Sequence, residues 1–227
     1  MIKKAYKELS SSDKGMFVVV AGNIGCGKTT LTRKLAEKLS WKPYFESVQD
    51  NPYLADFYDN MQRWSFPLQI YFLNHRFKTH RHIQEKQASA IQDRSIYEDA
   101  NIFARALFEQ KNMDERDYEN YLNLYGNMTD YLTPPDLMIF LKRSLPKLQE
   151  RIALRGRDYE QSIPVDYLAR LNDYYHDWYE RYDLGKSITI DTDELDFLNN
   201  EEHFDSLIGK IYETMDQGDM LLNNFMN

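Results

Sequence analysis

The chain has 227 residues and a formal net charge of −8, from 28 Lys+Arg against 36 Asp+Glu. That length suits one α/β domain with a sizeable core, and hydrophobic and charged fractions of 42% and 28% exclude wholesale disorder. The acidic balance excludes a broad nucleic-acid footprint, no apolar run reaches membrane-spanning length, and one cysteine, Cys26, excludes an internal disulfide.

After a polar arm over 1–14, Met16 to Ala21 (MFVVVA) is a short β-branched run, which predicts a buried strand. A Gly-rich turn follows over Gly22 to Gly27. Thr29 to Leu39 then carries Leu31, Leu35, Ala36 and Leu39 at helical spacing. Pro43 to Glu46 and Ser89 to Asp93 read as strands, each ending in a carboxylate. Helical periodicity runs from Trp64 to about Lys86, from Ile96 to Gln110, and from Asp114 to Tyr131, where Pro134-Pro135 stops it. Asp136 to Leu141 and Ser187 to Asp191 complete five strand candidates. Ser144 caps a helix reaching about Arg155, and further helices begin near Pro164 and His203. The tail over 216–227 is expected to fray.

No repeat, low-complexity tract or linker breaks the chain, so 1–227 reads as a single domain. The N-terminus has no signal-peptide core, and no Cys/His cluster suggests zinc. These features predict a soluble cytoplasmic protein whose partners are small molecules, with neither a membrane nor a nucleic-acid polymer among them. Strands alternating with helices predict a parallel sheet flanked by helices, with the ligand beyond the carboxyl ends of the strands.

Gly22-Asn23-Ile24-Gly25-Cys26-Gly27-Lys28-Thr29, followed by Thr30, matches the P-loop pattern between a predicted strand and a predicted helix. Backbone amides of such a loop curl around phosphate oxygens, and the helix N-terminus adds its positive end. Lys28 reaches the β- and γ-phosphates, and the Thr29 hydroxyl suits Mg²⁺. The fold predicted is thus of the P-loop NTPase type. Cys26 takes a free position of the loop as filler rather than as a nucleophile.

Glu46 and Asp93 end neighbouring strands and should face the transferred phosphate. One carboxylate can help hold Mg²⁺, and the other can accept a proton from an attacking hydroxyl. Arg94 stands where a guanidinium can clamp a phosphoryl group. Arg151, Arg155 and Arg157 fall within seven residues of an acidic protein, with Gly156 to bend the backbone. A lid that closes over donor phosphates explains them better than a solvated helix end.

Together these residues resemble the deoxynucleoside kinase family, most closely its bacterial deoxyadenosine/deoxyguanosine kinase branch, from about Phe17 to Asp191. FESV is similar to the segment carrying the family's general base, which falls on Glu46. FYDNMQRWSFPLQIYFLNHR puts Tyr58, Gln69 and Arg76 on the positions for the sugar 3′-hydroxyl and the base. DRSIYEDANIF resembles the family's Glu/Asp-Arg-Ser motif, implying roles for Asp93 and Arg94, a base-pocket Asp99 and a ring contact from Phe103. LRGRDYEQSIP resembles the lid, with Arg151, Arg155 and Arg157 on phosphate and Glu160 on the 3′-hydroxyl. IDTDELDF resembles the loop over the donor adenine. Ser47 stands where the family has proline, and Asp93 where glutamate is commoner. Which of Asn51 and Tyr53 packs against the base stays open.

The resemblance implies ATP as donor with Mg²⁺, a deoxyribonucleoside acceptor that is a purine or deoxycytidine, nucleotide salvage, feedback by the product triphosphate, and a homodimer. A thymidylate-like monophosphate kinase would need a site for an acceptor phosphate, whereas Glu46 and the Tyr58/Glu160 pair suit a free 5′-hydroxyl. A non-catalytic nucleotide-binding relic would be expected to lack Lys28, Glu46 or the lid arginines, and all are present.

Overall fold

The computed structural model describes residues 15–46, 51–157, 160, 163–193 and 195–225. The polar arm expected over 1–14 lies outside the described residues. Strands β1 (Phe17–Gly22), β2 (Lys42–Tyr44), β3 (Ala90–Asp93), β4 (Leu137–Lys142) and β5 (Lys186–Asp191) form one sheet in the order β2-β3-β1-β4-β5, every pairing parallel. All six residues of β1 are buried, because the central strand of a parallel sheet is covered on both faces.

Alternation along the strands divides the core in two. Val18, Val20, Ile91 and Ile139 point to one face, where they meet α1 (Lys28–Leu39), α7 (Leu145–Arg155) and α9 (Glu201–Phe225) through Leu31, Leu35, Leu148, Phe204 and Ile208. Val19, Ala21, Met138 and Phe140 point to the other, against α3 (Met61–Lys86) and α8 (Val165–Glu180), with Leu68, Leu73, Tyr174 and Trp178. Helix α6 (Glu115–Thr129) adds the fully buried Tyr121 to the second core.

Four elements depart from the sequence reading. Helix α2 (Leu54–Asp59) is one the periodicity did not reveal; six residues are too few to register. Helix α3 starts at Met61 rather than Trp64, because Asn60 Oδ1 accepts from the Arg63 amide at 3.1 Å. The helix expected over Ile96–Gln110 is α4 (Ile96–Glu98), a π-helical turn over Asp99–Ala104, and α5 (Arg105–Glu109). The expected fraying after Met215 is corrected by α9, which continues to Phe225; extending an existing helix adds a hydrogen bond for each residue fixed.

Candidate active site

The phosphate cradle is the turn between β1 and α1. Gly25 has φ +86°, and a Cβ there would stand 2.9 Å from the Leu148 carbonyl, so only glycine lets α7 close onto the loop. Asn23 pins the loop to α8, donating to the Leu168 carbonyl at 3.1 Å and to Asn172 Oδ1 at 3.2 Å. Lys28 is buried, and its Nζ donates to the carbonyls of Gly22 (2.8 Å) and Asn23 (2.9 Å). The ammonium is thus held inside the loop by neutral acceptors that an anion can replace. Cys26 is fully buried, and burial pushes its thiol up, against the pull of Lys28, which fits filler.

Thr29 Oγ1 donates to Asp93 Oδ2 at 2.5 Å, and Asp93 Oδ1 is buried without a hydrogen-bond partner. Burial pushes the Asp93 carboxyl up, opposed by Lys28. The sheet order explains the pair: β3 lies directly beside β1, so its last residue abuts the first turn of α1.

Glu46 lies two residues beyond β2 rather than at its end. Its carboxylate forms a very short ion pair with Arg76 and stands 3.6 Å from Arg94 Nη1. Burial pushes this carboxyl up, but Arg94, Arg76 and Lys28 outweigh it and hold Glu46 at about 2. Arg76 also meets Asp99 Oδ1 at 3.1 Å, with the Phe72 ring 4.8 Å from its guanidinium carbon. Burial drives Asp99 up to about 7 in spite of Arg76, and its Oδ2 has no hydrogen-bond partner.

Tyr58, Gln69, Arg76, Asp99, Phe103 and Glu160 all line one cleft, which also reaches Lys28, Glu46 and Arg94. Gln69 lines the cleft and is buried, and its Oε1 is left without a hydrogen-bond partner. Burial, Tyr167 and Glu160 raise the Tyr58 phenol far above its usual value, which keeps it a neutral donor. The wide π-turn presents both Asp99 and Phe103 to the cleft.

Arg94 has φ +68°, a conformation L-residues seldom adopt. Its amide donates to the Val20 carbonyl at 3.0 Å, the Gln92 side chain donates to its carbonyl at 2.8 Å, and its guanidinium lies 4.4 Å from the Phe103 centroid.

The lid arginines gather at the mouth. Arg151, Arg155 and Arg157 line an outer cleft with Gly25, Gly27, Lys28, Thr29 and Thr30. Gly156 ends α7 at φ +62°, turning the chain back toward the site. Arg155 donates twice to Glu160 Oε2, at 2.9 and 2.5 Å, and Arg157 donates to Oε1 at 3.1 Å. The carboxylate expected on the sugar therefore ties two of the lid arginines, Arg155 and Arg157, together here. In the IDTDELDF stretch, Asp193 accepts from the Ser144 amide at 3.0 Å, and the Phe197 ring lies against Gly27; Glu194 lies outside the described residues.

Neither Asn51 nor Tyr53 lines the inner cleft. Asn51 Oδ1 accepts from the Tyr53 amide at 2.9 Å, and the Tyr53 ring packs on Trp64 and Tyr71. Phe45, Leu54, Phe57 and Phe72 supply the apolar wall instead, and Tyr167 also borders it. Glu98, fully buried behind the loop, was not anticipated either, although Ser95-x-x-Glu98 is a legible capping box.

A lysine-bearing phosphate loop, an ionised carboxylate and a group of arginines around one cleft define a P-loop phosphotransferase. The deoxynucleoside kinase model matches residues 18–216. A deoxyadenosine/deoxycytidine kinase of Bacillus subtilis is 38% identical over 200 residues, covering 87% of this chain and 92% of its own. A deoxyguanosine kinase of Lactobacillus johnsonii is 39% identical over 208 residues, covering 86% and 90%. The solved structure of deoxyadenosine kinase from M. mycoides, with products dCMP and a flexible dCDP bound, superposes with TM-score 0.75 at 30% identity, covering 87% of this chain and 99% of that one. The chain belongs to the deoxynucleoside kinase family. It is a nucleoside kinase, a transferase that phosphorylates nucleosides.

Proposed function

We propose that this chain, acting as a single domain, moves the γ-phosphoryl group of ATP to the 5′-hydroxyl of a deoxyribonucleoside for nucleotide salvage in the cytoplasm. Deoxyadenosine and deoxyguanosine are its preferred acceptors, with deoxycytidine also accepted. One observation carries the reading: Glu46 joins Arg94, on the phosphate side, to the Arg76–Asp99 pair, on the base side. A 5′-hydroxyl presented to the P-loop from that pocket has Glu46 as its base.

In this reading the backbone from Gly22 to Thr30, with Lys28, cradles the donor phosphates. Arg151, Arg155 and Arg157 spread charge that grows on the migrating phosphoryl group. Arg94 clamps the same group while Glu46 takes the hydroxyl proton as the new P–O bond forms. Tyr58 and Glu160 hold the 3′-hydroxyl, Gln69 and Arg76 read the base with Asp99 fixing the guanidinium, and Phe103 packs on the nucleoside. Glu160 would exchange the lid arginines for the sugar when donor phosphates draw those arginines away.

Thr29 and Asp93 would hold Mg²⁺. The fit rests on the partnerless, buried Asp93 Oδ1 beside a threonine hydroxyl, a hard-oxygen pair suited to that ion. Bound there, the ion supplies neutralisation of charge on the β- and γ-oxygens. A homodimer through a helix face completes the reading, where α6 leaves Leu122 exposed, and light scattering tests it. The deciding assay offers ATP with each deoxynucleoside and each monophosphate. Conversion of deoxynucleosides to 5′-monophosphates is expected; turnover of monophosphates alone would overturn the reading.

A further inference from the structure

We infer that Glu98 is a positioning residue for phosphoryl transfer, locking Arg94 to the first turn of the P-loop. The inference rests on the reading of Arg94 as the clamp of the migrating group. Glu98 is fully buried, and its two oxygens face different elements. Oε2 accepts from the Ser95 amide at 2.7 Å and the Ser95 hydroxyl at 3.2 Å, which completes the helix cap. Oε1 serves no cap: it accepts from the Tyr175 hydroxyl at 2.7 Å and the Gly22 amide at 3.3 Å, and faces the buried Arg94 Nε, which has no hydrogen-bond partner, as an ion pair at 3.9 Å.

Four hydrogen bonds are donated to these oxygens, with the Arg94 guanidinium beside them, so the site calls for a group that only accepts. A cap alone needs only Oε2 and works as well in water. The arrangement of Oε1 has a different consequence. Arg94 stands between two carboxylates, Glu98 behind and Glu46 ahead at 3.6 Å. Its left-handed backbone is fixed by Val20 and Gln92, so only the guanidinium is free to be drawn one way or the other. Without the charge on Glu98, that guanidinium would swing onto Glu46, tightening its hold on the base and leaving the phosphoryl group less well clamped. Through Gly22 the same carboxylate sets the depth of the loop relative to Arg94.

The test is a double-mutant cycle of Glu98→Gln with Arg94→Lys, reading kcat and both KM values, with folding checked by circular dichroism. Removing a buried charge from beside the clamping guanidinium predicts a kcat loss of about 10- to 100-fold for Glu98→Gln. KM for the deoxynucleoside should stay within about threefold, since the base pocket is untouched. If Glu98 acts through Arg94, adding Glu98→Gln to Arg94→Lys should change kcat by less than about threefold. Tyr175→Phe, which removes one bond from Oε1 and keeps the charge, should cost kcat about three- to tenfold and also lose its effect in the Arg94→Lys background; it carries the test if Glu98→Gln does not fold. Multiplying losses, or an unimpaired Glu98→Gln enzyme, would overturn the inference while leaving the role of Arg94 standing. An Arg94→Lys enzyme with unchanged kcat would overturn both.

Discussion

Replacing Glu46 by glutamine removes the one charge shared by the two arginines at the centre of the cleft. Each arginine keeps a second carboxylate, Asp99 at 3.1 Å from Arg76 and Glu98 at 3.9 Å from Arg94, so the variant should fold and bind nucleotide. The arginines lower the Glu46 carboxyl from 4.5 to about 2, a preference for the ionised form of about 3 kcal/mol. As the proposed base, such a carboxylate would be weak and would take a proton only once the hydroxyl has become acidic through bonding to phosphorus. It is nonetheless ionised at every working pH, so its own titration should leave no acid limb in the rate between pH 5 and 9. Glutamine cannot accept the proton, and turnover should fall by about 10²–10⁴-fold. The assay is steady-state kcat and KM for both substrates, with calorimetric titration of ATP as the control for binding. Turnover within a few-fold of wild type would refute the reasoning and make Asp93 the candidate base. Because the folded-state value is depressed, the stability contributed by Glu46 is full above about 4.5 and lost as pH falls through about 2. Acid unfolding of Glu46→Gln should therefore lack that component.

Lys28→Ala should abolish turnover, since the buried ammonium is the cradle's own cation; detectable wild-type-like kcat would contradict it. Arg155→Ala and Arg157→Ala should lower kcat more than they raise KM for the deoxynucleoside, because charge on the migrating group peaks in the transition state; an effect confined to that KM would count against the lid. Asp99, pushed up to about 7, is neutral below that pH and ionised above it, so kcat/KM for purine deoxynucleosides should fall as pH drops through 7. Asp99→Asn should flatten that limb, and a limb surviving in the variant would assign it elsewhere. The double variant Arg76→Met, Asp99→Ala should gain thymidine activity and lose purines, since in the proposed reading the pair meets the base where a C5-methyl would need space and apolar contact; an unchanged ranking of the four deoxynucleosides would reject this basis of selectivity.

What the sequence determined by itself was local. The run before Gly22 and the periodicity after Lys28 specify strand, turn and helix within about 24 residues, because pleat alternation, glycine freedom and helical spacing act between near neighbours. The helix expected to run to Tyr131 before Pro134-Pro135 ends close by, at Thr129. Family-level motifs named Gln69, Arg76, Asp99 and Glu160, and the structure brings them to one cleft. Only the tertiary structure decided how they pair. The order β2-β3-β1-β4-β5 sets Glu46 against Arg76, thirty positions away, and Tyr175 against Glu98, seventy-seven away. The choice between Asn51 and Tyr53, open in the sequence, falls to neither: the Tyr53 ring is taken by Trp64 and Tyr71, and Phe45, Leu54, Phe57 and Phe72 form the wall. The positive φ of Arg94 and the π-turn at Asp99 belong to no local preference of their residues; they persist because packed neighbours on several elements over-determine them. Short-range rules fix which elements form, whereas the site is made of contacts whose energy exists only once distant segments have met.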